Sequence, residues 1–212
     1  MDVSPLAEIC DKIRRSFDQK DQAREKGLTL SREVIRNSAN AIRAVHRQEF
    51  EEALRLLEET AGVLAEIDRE LRPHPGIYFA GFVQDAQKEY AEARTTFALI
   101  RRLPLPDPDE LKVGHAPYLN ALGEAVGELR RYALDNIRRS DIAWGEEVLS
   151  AMDDIYYAMV SFDYPAAISG NLKRTADVTR SIIEKTRGDI TNAIRQQRLE
   201  QALRAEEEKP SQ

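Results

Sequence analysis

Four glutamates are spaced for shared chemistry: Glu89 and Glu92 stand three residues apart in one segment, and Glu124 and Glu128 four residues apart in another. On a helix each spacing puts both members of a pair on one side, so two adjacent antiparallel helices can bring four carboxylates together. Carboxylates gathered in a dry groove repel one another unless a proton or a cation compensates. Magnesium, or manganese in its place, meets that need, because both ions take oxygen ligands and retain waters. Either can activate water against a phosphodiester while neutralising phosphoryl charge. One of the acids can instead act as general base toward that water. Zinc fits less well, since His-Glu-x-x-His is absent and no histidine is spaced with these acids. A di-iron centre would want Glu-x-x-His on two helices, which is also missing.

Spacing alone leaves two readings open. Similar pairs recur, Glu49 with Glu52 among them, and a solvated face balanced by arginines is the ordinary explanation for them. The surroundings strengthen the case for a site without deciding it. Phe79, Phe82, Ala86, Tyr90, Ala93, Phe97 and Ile100 form an apolar ridge, and Glu89 and Glu92 each lie one residue before a ridge member. That is about 100° to one side, beside the core rather than opposite it. Leu122, Val126, Leu129 and Ala133 form the corresponding ridge beside Glu124 and Glu128. Gly123 and Gly127 add two positions without side chains, where another backbone can come close, at a cost in helix stability of about 0.5–1 kcal/mol each.

The elements that must position these residues are helices. Apolar residues recur with a 3.6-residue period, and no alternating run is flanked by hairpin signals. Helical stretches are expected at about 4–26, ending or bending at Gly27, then at 30–47, 50–71, 78–101, 118–139, from a cap at Asp141 to 162, and 164–205. Between them lie the Pro-rich segments at 72–76 and 103–117. The expected fold is all-α, an elongated bundle of about seven helices in one domain over residues 1–206, with a flexible tail at 207–212.

The composition, 42% hydrophobic and 32% charged with a net charge of -6, suits an ordinary helix-rich protein. It argues against a uniformly basic nucleic-acid coat, though not against a local basic stripe. A single cysteine, Cys10, permits neither an internal disulfide nor a thiolate zinc site. No membrane segment or leader pattern is present, so a soluble, cytoplasmic protein without membrane partners is expected. Arg32, Arg36, Arg43 and Arg47, preceded by Lys20 and Arg24, are the candidate phosphate contacts. Taken alone, they read equally well as a solvated face.

Three ordered segments carry a resemblance: LSREVIRNSANAIRAVHR at 30–47, KEYAEA at 88–93 and YLNALGEAVGELRRYALDNIRRSD at 118–141. Together with the long terminal helix they resemble the translin superfamily, in particular its Trax-like, nuclease-active branch, over roughly residues 5–200. The resemblance implies a translin-like protomer of seven helices that self-associates into a hollow, octamer-like shell and acts on single-stranded RNA, with single-stranded DNA also bound. It further implies a magnesium-dependent endoribonuclease site built from four acids. Glu89 and Glu92 match the pair in the Glu-Tyr-x-Glu-Ala motif, Glu128 matches the glutamate before Leu-x-Arg, and Glu124 stands where an aspartate is usual. A homo-oligomer of an archaeal-type member is the corresponding expectation. Two other classes stand beside this one: a single-stranded RNA or DNA binder without cleavage, and an all-α nucleotide pyrophosphohydrolase, which also uses clustered glutamates and magnesium.

Overall fold

The computed structural model describes residues 3–139, 141 and 144–207, and among these the regular structure is entirely helical. The helices are α1 (Leu6–His46), α2 (Phe50–Leu71), α3 (Pro75–Tyr78), α4 (Gly81–Ile100), α5 (Pro108–Leu111), α6 (His115–Arg138), α7 (Gly145–Val160), α8 (Ala166–Ser169) and α9 (Leu172–Glu207). The all-α expectation holds, but nine helices among the described residues exceed the expected number of about seven. The excess comes from single turns. Pro75 and Pro108 begin α3 and α5 with a backbone angle already suited to a helix, and the Asp107 carboxylate accepts from the Glu110 amide at 2.7 Å. Gly170, at φ 64°, separates α8 from α9 in what reads as one helical stretch. Of the expected tail at 207–212, Glu207 is the last residue of α9, and residues 208–212 lie outside the described residues.

The chain divides into two compact units, one of Met1–Phe97 with Pro106–Tyr118, the other of Ala98–Leu105 with Leu119–Gln212. In the first, α1 packs along α2. The buried positions of α1, Gly27, Ser31, Val34, Ser38, Ala41 and Val45, advance in steps of four and three, as do Ala53, Leu57 and Thr60 on α2, with Ile67 and Leu71 continuing the row. This is coiled-coil-like spacing. This packing selects the buried line of α2: Leu54 is 39% exposed and Ala61 exposed, while Ala53 and Thr60 are fully buried. Likewise Gly27 does not end α1. A Cβ there would lie 2.7 Å from Leu71 Cδ1 and 3.3 Å from Phe82 Cε2, so the glycine admits the fully buried Leu71 side chain. The chain reverses at Gln48, whose φ of 64° takes it out of the helical path. Phe79 lies outside α4 and is 68% exposed, so the ridge of that helix begins at the half-buried Phe82.

Asp68 ties the end of α2 to α3. It accepts from Arg72 Nε and Nη2, at 3.1 and 2.8 Å, and from the Tyr78 hydroxyl at 2.9 Å, and the Arg72 contact holds its carboxyl below the usual range.

In the second unit α9 packs against α7 and α8. Gly123 of α6 is seated against both long partners: a Cβ there would lie 2.5 Å from Thr175 Cγ2 and 2.8 Å from Met159 Cε. Asn120 fixes the bend before α9 by donating to the Ser169 carbonyl at 3.0 Å and accepting from the Thr175 hydroxyl at 2.7 Å. Arg130 bonds Thr186 and pairs with Asp189 at 2.8 Å, and Arg187 pairs with Asp153 at 2.9 Å. Asp141 does not cap the following helix. Trp144 occupies that position without a side-chain cap, and the Arg102 guanidinium stacks 3.7 Å from its ring while pairing with Glu147. Among the described residues, no helix is long and apolar enough to cross a membrane.

Candidate carboxylate site

Along α4 the residues Asp85, Glu89, Glu92 and Thr96 follow one another in steps of four, three and four, which places them in one row. The row passes from solvent into the interior. Asp85 is exposed, Glu89 half-buried, Glu92 8% exposed, and Thr96 fully buried. Their neighbours Ala86, Tyr90, Ala93 and Phe97 are buried, so the apolar ridge holds the helix face that carries the acids at the edge of the core. Burial pushes the Tyr90 hydroxyl above its ordinary range, with Glu110 adding to the rise and Arg94 opposing it. Tyr90 therefore packs as a neutral ring.

On α6 the corresponding ridge of Leu122, Val126, Leu129 and Ala133 is buried, and Glu124 and Glu128 are half-buried beside it. One carboxylate oxygen from each of Glu89, Glu92 and Glu124 lies within 4.8 Å of the others. Glu128 is not in that trio. It lies one turn further along α6, with a carboxylate oxygen 3.8 Å from Arg131. Gly123 and Gly127 also differ: Gly123 is filled by α7 and α9, whereas no described atom lies within 4 Å of a Cβ built at Gly127.

An all-oxygen trio suits a hard divalent cation. Metal–oxygen distances of roughly 2.1 Å for magnesium put neighbouring ligand oxygens about 3–4 Å apart, so small torsional adjustments of long glutamate side chains would bring this group to a common ion. Lys88, which the sequence did not single out, supplies local compensation: its ammonium is 3.5 Å from the Glu89 carboxylate, and its side chain is only 24% exposed. Its place next to the first acid in the sequence is the signal that could have found it. The histidines do not join the group: His115 opens α6 at an exposed position, and His74 caps α3.

The basic residues fall into two sets. At 100° per residue, Arg32, Arg36, Arg43 and Arg47 share one exposed stripe about 22 Å long on and just beyond α1, whereas Lys20 and Arg24 point roughly 110–150° away from it. Arg43 bonds Asn40 and Arg47 pairs with Glu49 at 2.6 Å, but no hydrogen bond or ion pair joins Arg32 or Arg36 to another described residue. Those two guanidinium groups are the ones available to an external anion.

No protein-family model matches the chain. The uncharacterised protein MJ0175 of Methanocaldococcus jannaschii is 32% identical over 190 residues, covering 87% of this chain and 82% of that protein. The crystal structure of AfC3PO is likewise 32% identical, with a TM-score of 0.81 over 87% of this chain and 96% of its own. The chain belongs to the translin/Trax-like C3PO family. AfC3PO has also been solved as a complex with duplex RNA, and that structure matches the present C3PO-family chain with a TM-score of 0.80 at the same identity, covering 95% of its length. A third C3PO structure, apo-NeC3PO, matches at a TM-score of 0.74 and 19% identity over 91% of this chain, and shares the fold.

Proposed function

We propose that this C3PO-family protein is a metal-dependent endoribonuclease that hydrolyses phosphodiester bonds of single-stranded RNA. The observation that carries this reading is the convergence of Glu89, Glu92 and Glu124, three carboxylates from two helices, one of them nine-tenths buried. Glu89, Glu92 and Glu124 would hold magnesium, with manganese an effective substitute. Magnesium there supplies charge neutralisation at the phosphoryl group and acidifies water. Glu128, one turn from Glu124 and outside the trio, is assigned to take the proton of the attacking water. The resemblance aligns it with the fourth acid of the nuclease branch, and its longer neighbour Glu124 retains the charge of the usual aspartate while extending it by one methylene. Lys88 beside Glu89 limits repulsion among the acids before the cation arrives.

The test is cleavage of end-labelled single-stranded RNA with magnesium and with chelator, for wild type, Glu89→Gln and Glu128→Gln. Glutamine keeps the size and removes the charge. Magnesium-dependent products from wild type, and losses of about 10²-fold or more in both variants, are expected for groups acting on transition-state charge or proton transfer. Equal, chelator-resistant activity in all three proteins would sink the assignment. The duplex RNA held by AfC3PO favours a second reading in which paired RNA is bound as well, so a duplex of the same sequence belongs in the assay. Binding of either RNA without metal-dependent products would leave a non-catalytic RNA binder.

RNA is assigned to the Arg32–Arg36–Arg43–Arg47 stripe, through phosphate contacts that read little sequence. Replacing both Arg32 and Arg36 by alanine should weaken single-stranded RNA binding at every sequence tested. It should also flatten the log–log salt dependence by about 1.4, at about 0.7 for each phosphate that is no longer neutralised. Fluorescence anisotropy across a salt series measures both, and an unchanged slope removes these residues from the interface. Self-association into a homo-oligomeric shell, of octamer type, belongs to the same reading. It is supported by the first turns of α1, where Leu6, Ile9, Ile13 and Phe17, 46–64% exposed, lie on one side of the helix.

A further inference from the structure

All eight threonines of the chain lie in helices, and six of them have hydrogen-bonded hydroxyls. Thr29, Thr60, Thr186 and Thr191 donate back to the carbonyl four residues earlier, Thr175 shares its proton between that carbonyl and Asn120, and Thr179 donates to the Gly123 carbonyl at 3.4 Å. Such back-bonding is the usual resource of a threonine inside a helix. Thr95 and Thr96 do not use it. Both are fully buried, and neither hydroxyl has a partner among the described residues. A buried hydroxyl left unbonded is destabilising, so two in succession on one turn call for a reason.

Their positions give different answers for the two. Thr96 follows Glu92 by four residues and continues the row of Glu89 and Glu92, whereas Thr95 is turned about 100° from it. Side chains on a helix lean toward its N-terminus, so Thr96 lies over the turn that carries Glu92, at the buried end of the row. Glu92 is itself 8% exposed and has its carboxylate in the trio. A carboxylate has about four acceptor positions, more than a single cation occupies, and a buried one needs donors for the rest.

We propose that Thr96 is a positioning residue for the carboxylate site: its hydroxyl donates to a water that in turn donates to the Glu92 carboxylate, fixing that side chain toward Glu89 and Glu124. The inference rests on the assignment of the trio as a cation site and adds a residue to it. Hydrogen-bond partners behind metal-ligating groups orient them, and removing one typically weakens metal binding by about 10–100-fold.

Manganese titration followed by electron paramagnetic resonance tests this on the full chain, with Thr96→Val, Thr96→Ser, Thr95→Val and Glu92→Gln beside wild type. Valine matches threonine in shape and lacks only the hydroxyl. Thr96→Val is expected to weaken manganese binding by about 10-fold, with Thr96→Ser restoring it and Thr95→Val binding like wild type. Metal-free melting of Thr96→Val should stay close to that of wild type, since valine keeps the shape of threonine and the hydroxyl makes no bond to a described protein atom. Wild-type affinity in Thr96→Val while Glu92→Gln loses the ion overturns the role of Thr96 and leaves the trio standing. Equal losses in the two valine variants overturn it as well, by showing an effect of the buried turn in general. No manganese uptake by wild type, or uptake unchanged in Glu92→Gln, overturns the cation site and this inference with it.

Discussion

Glu92→Gln should reduce magnesium-dependent RNA cleavage by about 10²–10³-fold, the range found when one preorganised charge-stabilising group is removed from an active site. Glu92 is chosen over its partners because of its environment. At 8% exposure it is the most buried acid of the trio, so its charge is the least screened by water. A second measurement separates lost chemistry from lost structure. A cation that binds only the folded chain stabilises it by about 2.7 kcal/mol at 100 times its dissociation constant. Saturating manganese should therefore raise the melting temperature of wild type by several degrees and leave that of Glu92→Gln nearly unmoved. A variant that still gains stability from manganese and still cuts would remove Glu92 from the site.

Substitution of the two α6 glycines should give opposite signs. Gly123→Ala places a methyl 2.5 Å from Thr175 Cγ2, 2.8 Å from Met159 Cε and 3.0 Å from Thr179 Oγ1, meeting two helices at once. Met159 is 1% exposed and Thr179 fully buried, so neither can move aside cheaply. Overpacking of this kind costs about 1–3 kcal/mol, which outweighs the gain of about 1 kcal/mol for alanine over glycine in a helix. Gly127→Ala meets no described atom within 4 Å and should keep that gain. Thermal or denaturant unfolding reads the difference. Function should follow, because Glu124 is the next residue after Gly123: pushing α6 off α9 moves a carboxylate of the trio, so Gly123→Ala should also weaken manganese binding. Equal stability of the two variants would contradict the packing at Gly123.

Both glycines look alike in the sequence, each one residue before a glutamate, and only packing tells them apart. Gly123 is where α7 and α9 come close, while Gly127, one turn on, meets none of the described residues. The same holds for α1. Gly27 reads as a helix stop because glycine is a poor helix former, yet the helix runs through it, since Leu71 and Phe82 fill the space that a side chain would take. On α2 the helix was legible, but its buried line was not, because Leu54 and Leu57 are equally hydrophobic and only the packing of α2 along α1 leaves the first exposed and the second buried. The absence of strands among the described residues, and the long helices at 50–71, 81–100, 115–138 and 145–160, followed from periodicity and proline positions to within a few residues.

By itself the sequence determined that the chain is helical, that two carboxylate pairs lie beside apolar ridges, and that three ordered segments place it in its family. Those properties depend on local spacing, which survives without knowledge of what lies across the core. Only the tertiary structure decided which acids meet, joining Glu124 to Glu89 and Glu92 while leaving Glu128 one turn away beside Arg131. It also decided that Glu92 is the buried member, and that the Thr96 hydroxyl stands unbonded at the inner end of its row. Residue type sets what a carboxylate or a hydroxyl can do, but burial and distance, which arise from segments far apart in the chain, set whether it has a neighbour to do it with.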